Sequence, residues 1–257
     1  MDDSFLLFAL VGFLAQLVDG ALGMAYGVIS STVLLSFGVP PASASAAVHA
    51  AELFTTATSA GSHLWHRNVN RRLFWTLAPA GILGGVAGTY LLTSIDGAVL
   101  RPYIAAYLSV MGVYILARAF FWPPKPVEPE PGVVLPLGAF GGFADAVGGG
   151  GWGPVVTTGL IGRGTAPRQT IGTVNTVEFF LTLSVSTAFV VALLTGHWEE
   201  AEGLASHAWA VAGLVAGGVL AAPLAGYVTR IIPARQLMVL VGVVISALAA
   251  YQVWRLL

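Results

Sequence analysis

Residues 148–154 read Gly-Gly-Gly-Gly-Trp-Gly-Pro, and this run interrupts a mostly apolar chain. Consecutive glycines break a helix because glycine loses more conformational freedom in a helix than other residues do. Proline suits the first helical turn, so Pro154 predicts that a new helix begins near Trp152. The run formally contains G-x-G-x-x-G, but no strand–helix–strand pattern surrounds it, so it does not indicate a dinucleotide site. It predicts a backbone turn between two short helices.

The composition around this turn indicates an integral membrane protein. Of 257 residues, 56% are hydrophobic and 9% are charged, and the mean hydropathy is +0.83. Soluble domains carry about a quarter charged residues, so too few polar groups are present to cover a water-facing surface. Apolar stretches of about 20 residues, enough to span a bilayer, recur along the chain. We therefore predict an all-α polytopic membrane protein with the lipid bilayer as its solvent.

Charge and cysteine content exclude several classes of function. The formal net charge is −1, so the basic surface that nucleic-acid binding needs is missing. The chain has no cysteine, which excludes disulfides, Cys-ligated zinc and thiol catalysis. No cofactor and no metal ion is expected. The N-terminus is acidic where a secretory signal is basic, so we interpret it as the start of the mature protein.

The glycine run belongs to one of two similar halves. Shifting the second half over the first by 126 positions aligns residues 12–61 with 138–187 at twelve identities, which include two acids, a proline and four glycines. The identical pairs are Gly12/Gly138, Asp19/Asp145, Gly23/Gly149, Gly27/Gly153, Thr32/Thr158, Leu34/Leu160, Gly38/Gly164, Pro41/Pro167, Val48/Val174, Glu52/Glu178, Phe54/Phe180 and Thr56/Thr182. An internal duplication is the economical explanation.

The duplication predicts two transmembrane repeats, 1–121 and 133–257, joined by the proline-rich linker 122–132. Each repeat divides into five apolar segments: 5–19, 23–37, 41–64, 73–93 and 98–121, then 133–147, 151–162, 167–194, 206–229 and 235–256. The first two of each repeat are short and form a hairpin broken by glycine, followed by about three full transmembrane helices. A re-entrant hairpin is favoured, and two crossing short helices are the alternative.

The charged loops predict that the two repeats have opposite orientations. Basic loops face the cytoplasm, and 66–72, 118–125, 163–168 and 230–235 all do so if the N-terminus is outside. The basic loop 66–72 corresponds to an acidic loop, 197–203 with Glu199, Glu200 and Glu202, in the second repeat. The charge of the loops does not distinguish a model with six membrane spans and two re-entrant hairpins from a model with ten spans, because both place the loops on the same sides.

Four acids fall within apolar segments: Asp19, Glu52, Asp145 and Glu178. A carboxylate in a span costs about 2.5–3.5 kcal/mol on insertion scales, so it suggests a function. Asp19 and Asp145 precede the glycine turns, where capping of the next helix is as good an interpretation as ligand contact. Glu52 and Glu178 cannot be caps, and we predict proton coupling or gating for them.

His49 lies one helical turn before Glu52, and its repeat equivalent is Asn175. His49 is either a proton carrier or a hydrogen-bonded structural histidine. A helix beginning at the glycine turn would present backbone N–H groups and a positive end to an anion. The alternative for these glycines is close helix packing. The candidate substrate-binding residues are Gly23, Tyr26, Gly149, Gly150, Gly151, Trp152, Gly153, Thr173 and Asn175.

Three stretches resemble the TauE/SafE sulfite exporter family: residues 12–20, residues 142–145 leading into 148–154, and Ala166-Pro167-Arg168-Gln169-Thr170-Ile171-Gly172-Thr173-Val174-Asn175. The resemblance extends over nearly the full length. It implies a carrier of the bacterial inner membrane that moves sulfur-containing anions such as sulfite or sulfonates. The first repeat departs from the usual pattern, because Gly23-Met24-Ala25-Tyr26-Gly27 replaces an unbroken glycine run.

The expected function is therefore secondary transport of small sulfur-containing anions, coupled to an ion gradient. A passive anion channel is the nearest alternative, although it leaves the two glutamates unexplained. An intramembrane enzyme is a weaker alternative, because H-E-x-x-H and G-x-S-x-G are absent from the sequence. The substrate, the direction of transport, the coupling ion and the oligomeric state are not set by the sequence.

Overall fold

A computed structural model describes residues 3–120, 130–198, 208–231 and 234–256, and every element in these ranges is helical. The helices are α1 Asp3–Leu22, α2 Tyr26–Ser36, α3 Pro41–Trp65, α4 Arg71–Ser94, α5 Gly97–Arg118, α6 Pro131–Gly148, a π-helical turn Gly153–Thr157 continued by α7 Thr158–Gly162, α8 Pro167–Leu194, α9 Ala208–Ile231 and α10 Ala234–Leu256. The all-helical fold class is confirmed. Most of the linker 122–132 and the acidic loop with Glu199, Glu200 and Glu202 lie outside the described residues.

Helix starts follow from local chemistry. α3, α6 and α8 each begin with a proline in the first turn, where the missing N–H costs nothing. The Asn70 side chain accepts a hydrogen bond from the Leu73 N–H at 3.1 Å and caps α4, and Asp96 caps α5 by accepting from the Ala98 N–H at 2.7 Å. Because α6 starts at Pro131, the predicted linker is two residues too long at its C-terminal end.

The prediction that the first helix of each repeat is short is wrong. α1 has 20 residues and α6 has 18. The predicted segments 5–19 and 133–147 are shorter than the helices Asp3–Leu22 and Pro131–Gly148, and each helix stops just before the glycine of its turn. Only the second element of each pair, α2 or the π turn with α7, is short.

Four described helices are long and apolar enough to cross a membrane: Arg71–Ser94, Gly97–Arg118, Pro131–Gly148 and Arg168–Leu194. Shorter apolar stretches occur at 5–19, 26–36, 208–222 and 238–254. Large apolar side chains also remain exposed on the outer faces, with Trp75 and Leu83 of α4 more than two thirds exposed. Such a surface matches a hydrocarbon environment.

Helix packing depends on small residues. A Cβ on Gly84 of α4 would overlap the Ala139 carbonyl of α6, so these two backbones are in direct contact. α1 packs in the same way on α9, where Gly217 lies against Ala9. α3 packs on α8 between these pairs, and α5 packs on α10.

Two of the pairs run antiparallel. In α3 and α8, Asn175 donates to the Ser59 hydroxyl at 3.1 Å, while the His49 and Phe189 rings are 6.4 Å apart. Residue numbers therefore rise in α3 as they fall in α8. α5 and α10 behave likewise, since Gly112 lies against Ser246 and Gly242 against Leu116.

Candidate functional site

The two glycine turns meet in the interior. Gly23 and Gly149 both have φ +66, a conformation that favours glycine, and each follows the last turn of a long helix. A Cβ on Gly27 would lie 2.7 Å from the Gly150 Cα. The turns are therefore in backbone contact, and a side chain at either position would push them apart.

Each aspartate before a turn reaches across it. Asp145 Oδ1 accepts hydrogen bonds from the Gly151 N–H at 2.7 Å and the Trp152 N–H at 2.9 Å. Asp19 Oδ1 accepts from the Tyr26 N–H at 3.2 Å. This is the capping arrangement, with the acid supplied from the preceding helix. It occupies two of the N–H groups that the sequence analysis assigned to an anion.

His49 joins the two halves. Its Nδ1 lies 2.8 Å from the Ser45 carbonyl, to which it can only donate, and its Nε2 lies 3.1 Å from Asp145 Oδ2. The His49 side chain is fully buried. One proton must lie between Nε2 and the carboxylate, either on the imidazole or on the acid, because two bare acceptors would repel.

Glu52 and Glu178 lie in the same interior. Glu52 is 3% exposed, and its Oε2 has no hydrogen-bond partner among the described residues. A Cβ on Gly27 would lie 2.8 Å from Glu52 Oε1, which places this carboxylate against the turns. Glu178 is 7% exposed, and its charge interacts with those of Asp19 and Asp145. The structure thus brings together all four acids predicted from the sequence.

Tyr26 and Trp152, the aromatic repeat partners, are both buried with their polar atoms bound. The Tyr26 hydroxyl donates to the Leu214 carbonyl at 3.0 Å, and Trp152 Nε1 donates to the Val174 carbonyl at 3.1 Å. In this conformation neither polar atom is free for a substrate. Both side chains instead hold the second element of their pair against a neighbouring helix.

Thr173 and Asn175, the candidate substrate-binding residues on α8, differ in how far their hydrogen-bonding groups are already used. The Thr173 hydroxyl accepts from the Asn70 N–H at 2.8 Å and donates to the Gln169 carbonyl, so it ties α8 to the loop before α4. Asn175 binds Ser59, and its Oδ1 has no partner among the residues described. Asn175 therefore retains hydrogen-bonding capacity for a ligand, and Thr173 is largely satisfied.

Two residues near the turns were missed. The Ser45 hydroxyl donates to the Ala146 carbonyl at 2.5 Å, one turn before His49 on the same face of α3. The Tyr107 hydroxyl reaches the Gly150 carbonyl at 3.4 Å from α5. The i,i+4 spacing from Ser45 to His49 was visible in the sequence, but no motif marks Tyr107.

Among the side chains that the structure describes, none in the interior is that of a lysine or arginine. Arg168 is exposed, and its Nε donates to Asn68 Oδ1 at 2.7 Å, which joins the start of α8 to the loop after α3. None of the lysine and arginine side chains that the structure describes therefore offers a buried positive charge to an anion.

A cavity of about 1000 Å³ lies between α4 and α8, and none of the four interior acids lines it. The serine and threonine hydroxyls that line it donate to carbonyls of their own helices. Thr187 donates to the Leu183 carbonyl at 2.7 Å, and Thr89 to the Gly85 carbonyl at 2.9 Å. The cavity therefore presents mainly methyl groups and is not part of the polar interior.

Comparison with known proteins finds relatives of this chain. Residues 8–252 match the family model described as "Sulfite exporter TauE/SafE". A relative from Bacillus subtilis (strain 168), named "Probable membrane transporter protein YtnM", is 43% identical over 244 residues, covering 92% of this chain and 78% of the relative. A "Probable membrane transporter protein" of Haemophilus influenzae is 34% identical over 107 residues, 41% of each chain. No solved structure matches. The chain belongs to the sulfite exporter TauE/SafE family and is a membrane transporter of that type.

Proposed function

We propose that the protein is a secondary transporter that moves small sulfur-containing anions, such as sulfite or a sulfonate, across the bacterial inner membrane as a multi-pass protein. The observation that carries the proposal is the meeting of two glycine turns and four buried acids inside an apolar helix bundle. Discontinuous helices that meet at mid-depth are typical of transporter binding sites. The name of the family supplies the class of anion.

We further propose that the two halves are inverted repeats. The equivalent helices α3 and α8 run antiparallel, as do α5 and α10. Equivalent contacts also recur: Gly12 packs on Leu214 where Gly138 packs on Leu77. Two copies related by a two-fold axis in the membrane plane would have both properties. The division into 1–121 and 133–257 follows from this relation.

The substrate site in this proposal lies where the turns cross, with Gly149–Gly153, Gly23, Tyr26, Thr173 and Asn175 around it. Asp145 holds the Gly151 and Trp152 N–H groups, so an anion must either displace that carboxylate or bind a positive charge placed beside it. Movement of Asp145 away from these donors is one way in which binding and gating become linked.

Glu52, Glu178 and His49, with Asp19 and Asp145, are proposed to couple transport to an ion gradient. Buried acids that exchange protons are a recurrent feature of transporters. Uptake of a proton by one of these carboxylates would reduce the repulsion between the cluster and an incoming anion. This coupling separates a carrier from a passive channel, which moves an anion only down its own gradient.

Flux through purified protein in liposomes tests the proposal. We expect uptake of radiolabelled sulfite to exceed equilibrium when a pH gradient is imposed, and Glu178→Gln to remove this dependence on the gradient. Glu130→Gln, an exposed acid, is the matched control and should behave as the parent chain does. Flux that never exceeds equilibrium would favour a channel. Absence of flux for sulfite and for sulfonates would refute the assignment of the substrate class.

A further inference from the structure

His49, Glu52 and Asp145 form a cluster that anion transport alone does not explain. One ring nitrogen and two carboxylate oxygens from these side chains lie within 4.8 Å of one another. The three residues come from α3 and the last turn of α6, and each is at most 3% exposed. The cluster is therefore sealed from water in this conformation.

Groups outside the cluster fix two of its members. The Ser45 carbonyl accepts the Nδ1 proton of His49 and so directs Nε2 toward Asp145. The Gly151 and Trp152 N–H groups bind Asp145 Oδ1 and so direct Oδ2 toward His49. Histidines that bind metals commonly donate their second ring nitrogen to a carbonyl in this way. The two ligand atoms are thus held in place before any ion binds.

The third member has an unsatisfied atom. Glu52 Oε2 is buried without a hydrogen-bond partner among the described residues. Two of the three members are carboxylates, and none of the buried side chains described is a lysine or arginine. Buried carboxylates are stable when they are paired, neutralised or bound to a metal ion. A cation at this point satisfies both the unpartnered oxygen and the excess of negative charge.

We propose that His49, Glu52 and Asp145 bind one divalent cation of the class that accepts imidazole and carboxylate together, such as Zn²⁺, Co²⁺ or Mn²⁺. Na⁺, Mg²⁺ and Ca²⁺ are less suited, because hard cations take oxygen ligands and the central donor here is a nitrogen. The 3.1 Å between Nε2 and Oδ2 is close to the roughly 3.3 Å that separates neighbouring ligands in a tetrahedral site with bonds of about 2.0–2.1 Å. Rotation of the Glu52 side chain completes the set.

Three protein ligands leave a position open on a tetrahedral ion. If the proposed anion transport is correct, an oxygen of the transported anion binds at that position. The cation then supplies the positive charge that the buried side chains lack, and Asp145 keeps its hydrogen bonds to the turn. The binding of the cation itself does not depend on the identity of the anion.

Cobalt is the probe for this site. The purified full chain in detergent should bind one Co²⁺ per chain, with weak visible absorption bands from nitrogen and oxygen ligands that Zn²⁺ removes by competition. The absence of cysteine keeps thiolate bands out of the spectrum. His49→Asn inserts the residue that the second half carries at the equivalent position, and Glu52→Gln keeps the shape of the side chain. Each should weaken Co²⁺ binding at least about 10-fold while the protein elutes as a single species.

The double variant His63→Asn/His66→Asn is the control, because these histidines lie together at the end of α3 and offer a surface site for metal ions. It should leave the spectrum unchanged. Loss of the bands in this variant alone, or no stoichiometric Co²⁺ binding by the parent chain, overturns the proposal and leaves a His49–Asp145 pair that shares a proton. Because the spectrum requires no transport, failure of sulfite flux in liposomes would refute the proposed substrate and not the cation site.

Discussion

The two turns begin with the same glycine conformation and then differ in their backbone. Gly23 and Gly149 share φ +66, but two positions later the first half has Ala25 and the second has Gly151. Ala25 adopts φ 111, a conformation that a residue with a Cβ rarely takes. The surrounding packing holds it there, since Ala25 is 3% exposed. Gly151, the equivalent of Ala25, does not have a positive φ, so this strain belongs to the first turn.

Ala25→Gly is expected to stabilise the protein. A residue with a Cβ at positive φ costs about 1–2 kcal/mol, and glycine relieves this strain. Loss of the buried methyl group destabilises the protein by about 0.8 kcal/mol. The net increase in the free energy of unfolding is about 0.2–1.2 kcal/mol, seen as a higher melting temperature in detergent. Ala51→Gly, at a buried position within α3, should lower stability by about 1 kcal/mol. Equal destabilisation by both variants would contradict the strain at Ala25.

The sequence predicted which residues carry charge in the interior but not how they pair. Asp19, Glu52, Asp145 and Glu178 stand out because carboxylates are costly in apolar segments. The contact between His49 and Asp145 joins residues 96 positions apart, and helical periodicity describes neighbours only within one helix. The capping role of Asp145 was considered, yet its distances to two N–H groups depend on a turn whose backbone geometry the sequence does not set.

Two long helices, α3 and α8, were predicted to within one residue at each end. The predicted segment 41–64 corresponds to Pro41–Trp65, and 167–194 corresponds to Pro167–Leu194. Proline marks both starts, and its fixed φ makes it a reliable signal. The lengths of α1 and α6 were underestimated, because the predicted segments 5–19 and 133–147 begin and end inside the helices Asp3–Leu22 and Pro131–Gly148. The π-helical turn after Trp152 had no signal in the sequence.

Close packing of α4 on α6 should depend on Gly84. A Cβ at this position would overlap the Ala139 carbonyl and lie 3.0 Å from the Phe143 N, so the helices must separate to admit a larger side chain. We expect Gly84→Val to destabilise the protein by about 1–3 kcal/mol or more, measured as loss of the monodisperse peak and a lower melting temperature.

Gly61→Val is the control for this variant. Gly61 is also within a helix, α3, but a Cβ there meets no atom within 4 Å. Its replacement should change stability by no more than about 0.5 kcal/mol. If both valine variants behaved alike, the contact between α4 and α6 would not be limited by the size of this residue.

For the whole molecule, the pairs α4 with α6 and α1 with α9 each join one half to the other. Neither half therefore buries its helices alone, and the chain has one interior to which both turns contribute. The duplication in the sequence indicated that two similar units exist. It did not indicate that the first helix of one half packs on the fourth helix of the other, because that choice depends on matched small residues such as Gly217 and Ala9 on separate helices.

The equivalent helices α3 and α8 should end on opposite sides of the membrane. His66 and Thr195 are the exposed residues that follow the equivalent helices α3 and α8. Because these helices run antiparallel, their C-terminal ends should lie on opposite sides of the bilayer, with His66 in the basic cytoplasmic loop. The chain has no cysteine, so His66→Cys and Thr195→Cys can each be labelled with a membrane-impermeant maleimide without background. Intact cells should label Thr195→Cys, and inside-out vesicles should label His66→Cys.

Ser94→Cys is the internal standard for this experiment. Ser94 ends α4, and its hydroxyl lies 2.8 Å from His197 Nε2, just beyond Thr195, so it must share the accessibility of Thr195. If Ser94→Cys and Thr195→Cys label together from outside and His66→Cys labels only from inside, the equivalent helices enter from opposite faces. Labelling of His66→Cys and Thr195→Cys from one side would rule out the inverted repeat, since an antiparallel pair that crosses the bilayer cannot place both C-terminal ends on the same face.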